Sequence, residues 1–353
     1  MQKPITVIDL GSNRIVAATA GIGKKGGVTL LAMENLHSRG INEGEITDIS
    51  KAVEDISLIT GKLKEKCGRK PKNVFVTTRS ADIEVRPSRG MIPLSKTSRE
   101  ITRNDVRRSS ELASMVRLSL DRAIVQKIVR NFRIDENAAE VKNPVGLYGM
   151  RLEVESFIVT ANRSKIQNIT KCIDHAGFLL GGVYLSSIAS AESVLDSKEK
   201  EKGVLLLDIG EALTEGLIFK NDMLKNFCAI RKGARAVYDG NRHVDKPGLT
   251  ALLLDTLAAL PNGASAFSSV VLTGGGALLD GVIEEAEKVF KLPVKIGLAK
   301  NQNQSLNSQD AIIHAPTIGL ITHIANDYKA SQIHTSPFLR TLHNLQHIYE
   351  TYF

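Results

Sequence analysis

Two stretches far apart in the chain leave a short apolar strand through the same kind of turn: Val7-Ile8-Asp9-Leu10-Gly11-Ser12-Asn13 and Leu205-Leu206-Leu207-Asp208-Ile209-Gly210. Each carries a carboxylate to the end of a buried strand, and a glycine then lets the backbone approach a neighbour closely. A third apolar run, Val270-Val271-Leu272-Thr273, ends in Gly274-Gly275-Gly276 and leads into a helical pattern from Leu279 through Phe290. The repeated strand–Asp–Gly unit points to an α/β chain built by duplication of one structural idea. Such turns suit phosphate. Their N–H groups and the Ser12 hydroxyl can donate to phosphate oxygens, and Asp9 can orient a magnesium-bound water. Three successive glycines let a nucleotide's base and sugar lie against bare backbone.

Composition narrows the partners. The 353 residues are 42% hydrophobic and 24% charged with 10 prolines, which suits about two folded domains. Cys67, Cys172 and Cys228 form no CxxC pair, so neither a disulfide framework nor a cysteine zinc site is expected, and a reducing interior is the natural setting. No apolar run approaches the roughly 20 residues of a membrane span, and the opening Met1-Gln2-Lys3-Pro4 lacks the pattern of a signal peptide. The net charge is +8, but basic and acidic residues are interspersed and no aromatic–basic platform accompanies them, so nucleic acid is not an expected partner. The eight histidines form no HExxH spacing, and His343 with His347 reads as a helix surface. No catalytic residue and no metal ligand is assigned.

Residues 1–73 read as the first part of one lobe. Within them Val53, Ile56, Ile59 and Leu63 recur at helical spacing over Ile49 to Lys66, stopped by Gly68 and Pro71. Residues 74–161 read as a smaller inserted α/β domain with 15 Lys/Arg against 11 Asp/Glu. In it Thr102 and Asp105 resemble a helix cap, Val106, Ser109, Leu112, Ala113 and Val116 can form one inward face, and Ala123–Ile134 and Arg151–Ala161 read as strands. Residues 162–195 return to the first lobe and 196–330 form the second. In 331–353, Phe338, Leu342, Leu345 and Tyr349, with Phe353 beyond, can line one helical face after Pro337, a stripe that suits a membrane interface or a protein surface.

The three turns, together with Asn143-Pro144-Val145-Gly146-Leu147-Tyr148-Gly149-Met150-Arg151-Leu152-Glu153, the stretch from Val289-Phe290 to Pro293-Val294-Lys295-Ile296-Gly297, and Pro316-Thr317-Ile318-Gly319-Leu320, resemble the FtsA family of actin-like bacterial cell-division proteins. The likeness runs from the opening turn through about Ala325. It implies an actin-like (ribonuclease-H-like) two-lobed α/β fold with an inserted interaction domain. It implies ATP and magnesium as cofactors: Asp9, Gly11 and Ser12 match the first phosphate motif, Asp208, Gly210 and Thr214 the second, and Gly274, Gly275 and Gly276 the adenosine-side turn. It also implies a tubulin-like division filament and the inner face of the cell membrane as partners, with self-association left open.

Two departures temper those expectations. Glu211, Ala212 and Leu213 interrupt the second phosphate motif, and Glu215 stands at its acidic position. A carboxylate 4 Å from a phosphate charge costs about 4 kcal/mol at an effective dielectric near 20. Beyond Lys232-Gly233-Ala234-Arg235, only Ala236 to Thr250 stands where the family carries a helical subdomain closing the nucleotide cleft, so that subdomain is expected to be reduced or missing. The expectation is therefore a divergent division scaffold with weak or absent ATP binding, and not an efficient ATPase. The alternatives are a type IV pilus assembly adaptor with an actin-like core and an ATP-dependent polymerising NTPase.

Overall fold

The computed structural model describes residues 3–23, 27–68, 71–136, 140–238, 243–260, 267–300 and 307–332. The chain opens with an antiparallel meander of β1 (Lys3–Leu10), β2 (Arg14–Ile22) and β3 (Val28–His37). A small hairpin follows, β4 (Ile41–Asn42) and β5 (Glu45–Ile46), and then α1 (Ile49–Cys67). The Asp48 side chain caps α1 by accepting from the Lys51 N–H, and Gly68 ends it in the left-handed region. Ile56, Ile59 and Leu63 of the expected stripe are buried against the sheet together with Ala52, while Val53 is only partly buried there. This crossover brings β6 (Asn73–Thr78) parallel to β1.

The chain then leaves the lobe to build a smaller unit from β7 (Glu84–Pro93), β8 (Arg99–Glu100), α2 (Arg103–Ser114), β9 (Arg122–Ile134), β10 (Tyr148–Gly149) and β11 (Arg151–Asn162). Strand β11 runs antiparallel between β7 and β9. Helix α2 covers one face of that sheet over Ile92, Ile101, Phe132, Leu152 and Val154. Thr102 and Asp105 form a capping box as expected. The expected inward face needs correction. Asp105, Ser109 and Ala113 are buried, whereas Leu112 is exposed and Val116 lies beyond the helix end. The face is set by steps of four from Asp105, and a polar residue can hold that buried position because Arg99 binds both its oxygens, each at 2.8 Å.

Helix α3 (Arg163–His175) and β12 (Leu179–Leu185) complete the first lobe, with sheet order β12-β6-β1-β2-β3. Helix α4 (Ser186–Val194) leads out, and the charged run near Lys198 to Lys202 forms the short helix α5 (Ser197–Lys202), capped by Asp196. The second lobe repeats the first: a meander of β13 (Val204–Ile209), β14 (Thr214–Lys220) and β15 (Met223–Ile230), helix α6 (Lys246–Ala259), then β16 (Val270–Thr273) parallel to β13. Helix α7 (Val282–Phe290) and β17 (Val294–Ile296) give the order β15-β14-β13-β16-β17. Helix α7 starts three residues later than its pattern, because residues 275–278 first make a 3-10 turn and Gly281 turns the chain in the left-handed region. Helices α8 (Ser308–Ile313) and α9 (Ala315–Gln332) end the described chain.

Two clusters tie the parts together. Ala189 of α4 and Leu320, Ile321 and Ala325 of α9 pack on Ile5, Val7, Ala18 and Ala20 of the first sheet. Phe157, Val159 and Ala161 of β11 pack with Leu185, Ile188 and Ala191 on Leu206 and Leu217 of the second sheet. Two lobes of one topology, with a small domain inserted in the first, make an actin-like two-lobed α/β fold.

Candidate functional site

The duplication places two carboxylates at equivalent strand ends. Asp9 near the end of β1 lies opposite Thr77 of β6, and Asp208 near the end of β13 lies opposite Thr273 of β16. Both are buried, and the Thr77 hydroxyl donates to Asp9 Oδ1 at 2.6 Å. Between the lobes stands a residue that no motif singled out. Arg79, just past β6, donates from Nη1 to Asp208 Oδ1 at 2.7 Å and from Nη2 to Asp208 Oδ2 at 3.0 Å, while its Nε donates to Ser186 Oγ at 3.2 Å. The Ser190 hydroxyl adds a 2.8 Å bond to Asp208 Oδ2. The Arg79 side chain is 13% exposed and that of Asp208 is 0% exposed, so this is a two-pronged ion pair taken out of water.

Three acids crowd one cation here. Burial pushes the Asp9 carboxyl above its ordinary range, against the pull of Arg79 and Thr77, and the charge of Asp208 adds to the rise. Glu215 of β14 lies opposite Asp208 in the ladder; burial pushes its carboxyl up to about 7, again against Arg79. Neither Glu215 oxygen makes a well-formed hydrogen bond; the hydroxyl and N–H of Ser187 are near enough to oppose the rise, but burial outweighs them. Burial alone would lower the Arg79 pKa, but Asp208, Asp9 and Glu215 together hold it above its ordinary value.

The turns are already engaged. The Gly11 N–H donates to the Arg14 carbonyl at 3.1 Å and the Gly210 N–H to the Leu213 carbonyl at 2.8 Å, closing both hairpins on themselves. Ser12 Oγ accepts from the Gly44 N–H at 3.1 Å, and the Thr214 hydroxyl donates to the Lys232 carbonyl at 2.8 Å. The N–H groups of Ala234 and Arg235 cap the Gly210 and Glu211 carbonyls at 2.9 Å each, which lays residues 232–235 over the second turn. Close backbone approach is used, but toward protein. A Cβ on Gly210 would stand 2.9 Å from Arg79 Nη1, and one on Gly274, at φ 81°, would stand 2.5 Å from Asp208 Oδ1. Gly276 packs on Ile209, while a Cβ on Gly275 would meet open space.

The structure thus gathers Asp9, Asp208, Gly210 and Gly274 around Arg79. It turns Ser12 toward the β4–β5 hairpin and Thr214 toward residue 232. A magnesium–triphosphate group does not fit between Asp9 and Asp208 while the guanidinium is there. Among the described residues, no three His, Cys, Asp or Glu side chains are arranged to hold a metal ion, and no helix is long and apolar enough to cross a membrane. Phe338, Leu342, Leu345, Tyr349 and Phe353 lie outside the described residues.

Comparison with known proteins agrees with this architecture. The family described as "SHS2 domain inserted in FTSA" matches residues 80–160. The cell division protein FtsA of Borreliella burgdorferi is 25% identical over 85% of this chain and 85% of its own length. That of Pseudomonas aeruginosa is 25% identical over 91% of this chain and 89% of its own. Among solved structures, a chain of the PilM-PilN type IV pilus biogenesis complex superposes with a TM-score of 0.64 at 12% identity, covering 92% of this chain and 99% of that one. With two lobes of one topology, an insertion that matches the FtsA-type domain and relatives of that name matched over most of their length, the chain is similar to the FtsA family of cell division proteins.

Proposed function

We propose that this protein is a cell-division scaffold that binds the tail of a tubulin-like filament and associates with the inner face of the cytoplasmic membrane, with ATP binding weak or vestigial. One observation carries the reading: the phosphate end of the interlobe cleft is filled by Arg79 while the inserted domain is complete, capped and packed. A chain that keeps its interaction domain and fills its ligand site is built for holding partners rather than for turnover. Efficient hydrolysis requires an open, aligned phosphate site, and carboxylates alone do not supply one. On this reading each lobe follows the ribonuclease-H-like plan. The segment between β15 and α6, with its 3-10 turn at residues 234–237, is the remnant of a helical subdomain. The inserted unit from β7 to β11 forms the interaction domain; the expected bounds of 74–161 begin too early, because residues 74–78 belong to β6 of the first lobe's sheet. Phe338, Leu342, Leu345, Tyr349 and Phe353 form the face that meets the membrane.

The structural likeness to the PilM-PilN chain favours a second reading, a pilus assembly adaptor. Pull-down with the C-terminal tail of the tubulin-like division protein separates the two, alongside imaging of the tagged full chain. Retention of the tail, division-site localisation, and loss of vesicle flotation on deleting residues 337–353 are the expected results. Flotation unchanged by that deletion, or no retention of the tail, counts against the scaffold.

A further inference from the structure

We propose that Arg79 is a tethered occupant of its own cleft: its guanidinium takes the place that a bound cation–polyphosphate group would need and pins the two lobes closed without any ligand. The position follows from the fold. Thr77 of β6 pairs with Asp9, so two residues further on the chain is at the mouth of the first lobe, facing the equivalent end of β13. From there the side chain spans three parts of the molecule: it leaves the first lobe, bonds Ser186 of the connecting helix α4, and grips both oxygens of Asp208 in the second lobe.

The surroundings are shaped for this occupant. Gly210 leaves room for Nη1, and Gly274 leaves room for the carboxylate that Nη1 binds. The planar fork matches a carboxylate in a way that a lysine ammonium does not. Charge gives the same answer. Asp9, Asp208 and Glu215 are all buried, and Arg79 is the cation common to them. Removing it would leave the carboxylates facing one another in a water-poor site.

Tethering changes the logic of closure. A dissociable ligand stabilises the closed state only in proportion to the logarithm of its concentration above Kd. A side chain anchored beside the site is present at a fixed, high effective concentration. The cleft should therefore be shut whatever the nucleotide level, and Mg-ATP can enter only by displacing the guanidinium. This inference rests on the reading of the nucleotide turns as vestigial, but it is tested on purified protein and does not depend on any division partner.

The experiment compares thermal unfolding of the full-length wild type, Arg79→Ala and Arg79→Lys, each alone, with millimolar Mg-ATP, and with millimolar ethylguanidinium chloride. The wild-type Tm should not move with either addition. Arg79→Ala should unfold at least about 5 °C lower and recover part of that loss with ethylguanidinium, which refills the vacated space, or with Mg-ATP, which then finds the site open. Arg79→Lys, which keeps the charge without the fork, should fall between the two, and serves if the alanine variant does not fold. A wild type stabilised by Mg-ATP as much as the variant, a variant as stable as wild type, or a destabilised variant that neither addition restores would each overturn the proposal. The scaffold reading is decided separately by filament-tail retention.

Discussion

Asp208 and Glu215 stand opposite each other in the β13–β14 ladder, both without exposed surface, and only one of them is held by Arg79. The other sets a pH dependence. Glu215 has a folded-state pKa raised from 4.5 to about 7, chiefly by burial. Between those values the folded state keeps a proton that the unfolded chain releases. The stability from this group is therefore full below about pH 4.5 and lost as pH rises through about 7. Urea unfolding across that window should show the wild type losing up to about 1.4 kcal/mol per pH unit relative to Glu215→Gln, which cannot ionise. Parallel stability curves for the two proteins would mean that Glu215 is hydrated or paired in solution.

Adjacent glycines of the third turn should differ sharply. Gly274 sits at φ 81°, and a methyl there would also press on Asp208 Oδ1 at 2.5 Å and on the Ile209 carbonyl oxygen at 2.6 Å. With ψ at 174°, that backbone lies in a region essentially reserved for glycine and costs another residue about 1–3 kcal/mol, and overpacking adds about 1–3 kcal/mol. Gly274→Ala should therefore destabilise by about 2–6 kcal/mol. Gly275→Ala meets nothing within 4 Å and should stay within about 0.5 kcal/mol of wild type. Equal effects in chemical denaturation would show that the turn relaxes around the added methyl.

Ser190 offers a smaller test of the same centre. Its hydroxyl donates to the carboxylate of Asp208 from within a helix that is buried almost throughout. A hydrogen bond to a charged group contributes about 1.5–3 kcal/mol, so Ser190→Ala should cost about that much although Arg79 remains in place. A variant that matches the wild type in urea would mean that Arg79 alone satisfies the carboxylate.

Much of this architecture is legible in the sequence, and what is not has physical causes. The α1 stripe, the strands β9 and β11, the α2 capping box and the strand–Asp–Gly units are local patterns, each written within one element. Arg79 is different. It sits in Thr77-Thr78-Arg79-Ser80, a polar stretch after a strand, and its partner Asp208 is 129 residues away. Nothing local separates it from a solvated loop arginine. The turn glycines are legible as sites of close approach, but not what approaches them, since a phosphate and a guanidinium make the same steric demand on the backbone. Leu112 departs from expectation for a different reason. Its apolar character suggests the core, whereas Arg99, six residues before Asp105, lets that acid hold the buried position.

That ion pair makes the inserted domain testable apart from the lobes. Asp105 accepts from the Thr102 N–H at 2.9 Å and the Thr102 hydroxyl at 2.6 Å as well as from Arg99, while its own N–H donates back to Thr102 Oγ. Thr102→Ala removes half of this box and should cost about 1 kcal/mol. Asp105→Ala removes the other half together with both Arg99 bonds, so it should cost more. The loss should also be local, because α2 packs chiefly on β7 and β11, and the core it covers is built from residues of the inserted domain. Hydrogen exchange should accelerate in α2 and β7 while the amides of β1 and β13 keep their wild-type protection. Acceleration of β1 and β13 to the same degree would mean that the inserted domain and the lobes unfold as one cooperative unit, and that the domain could not rearrange on a partner without opening the Arg79-held cleft.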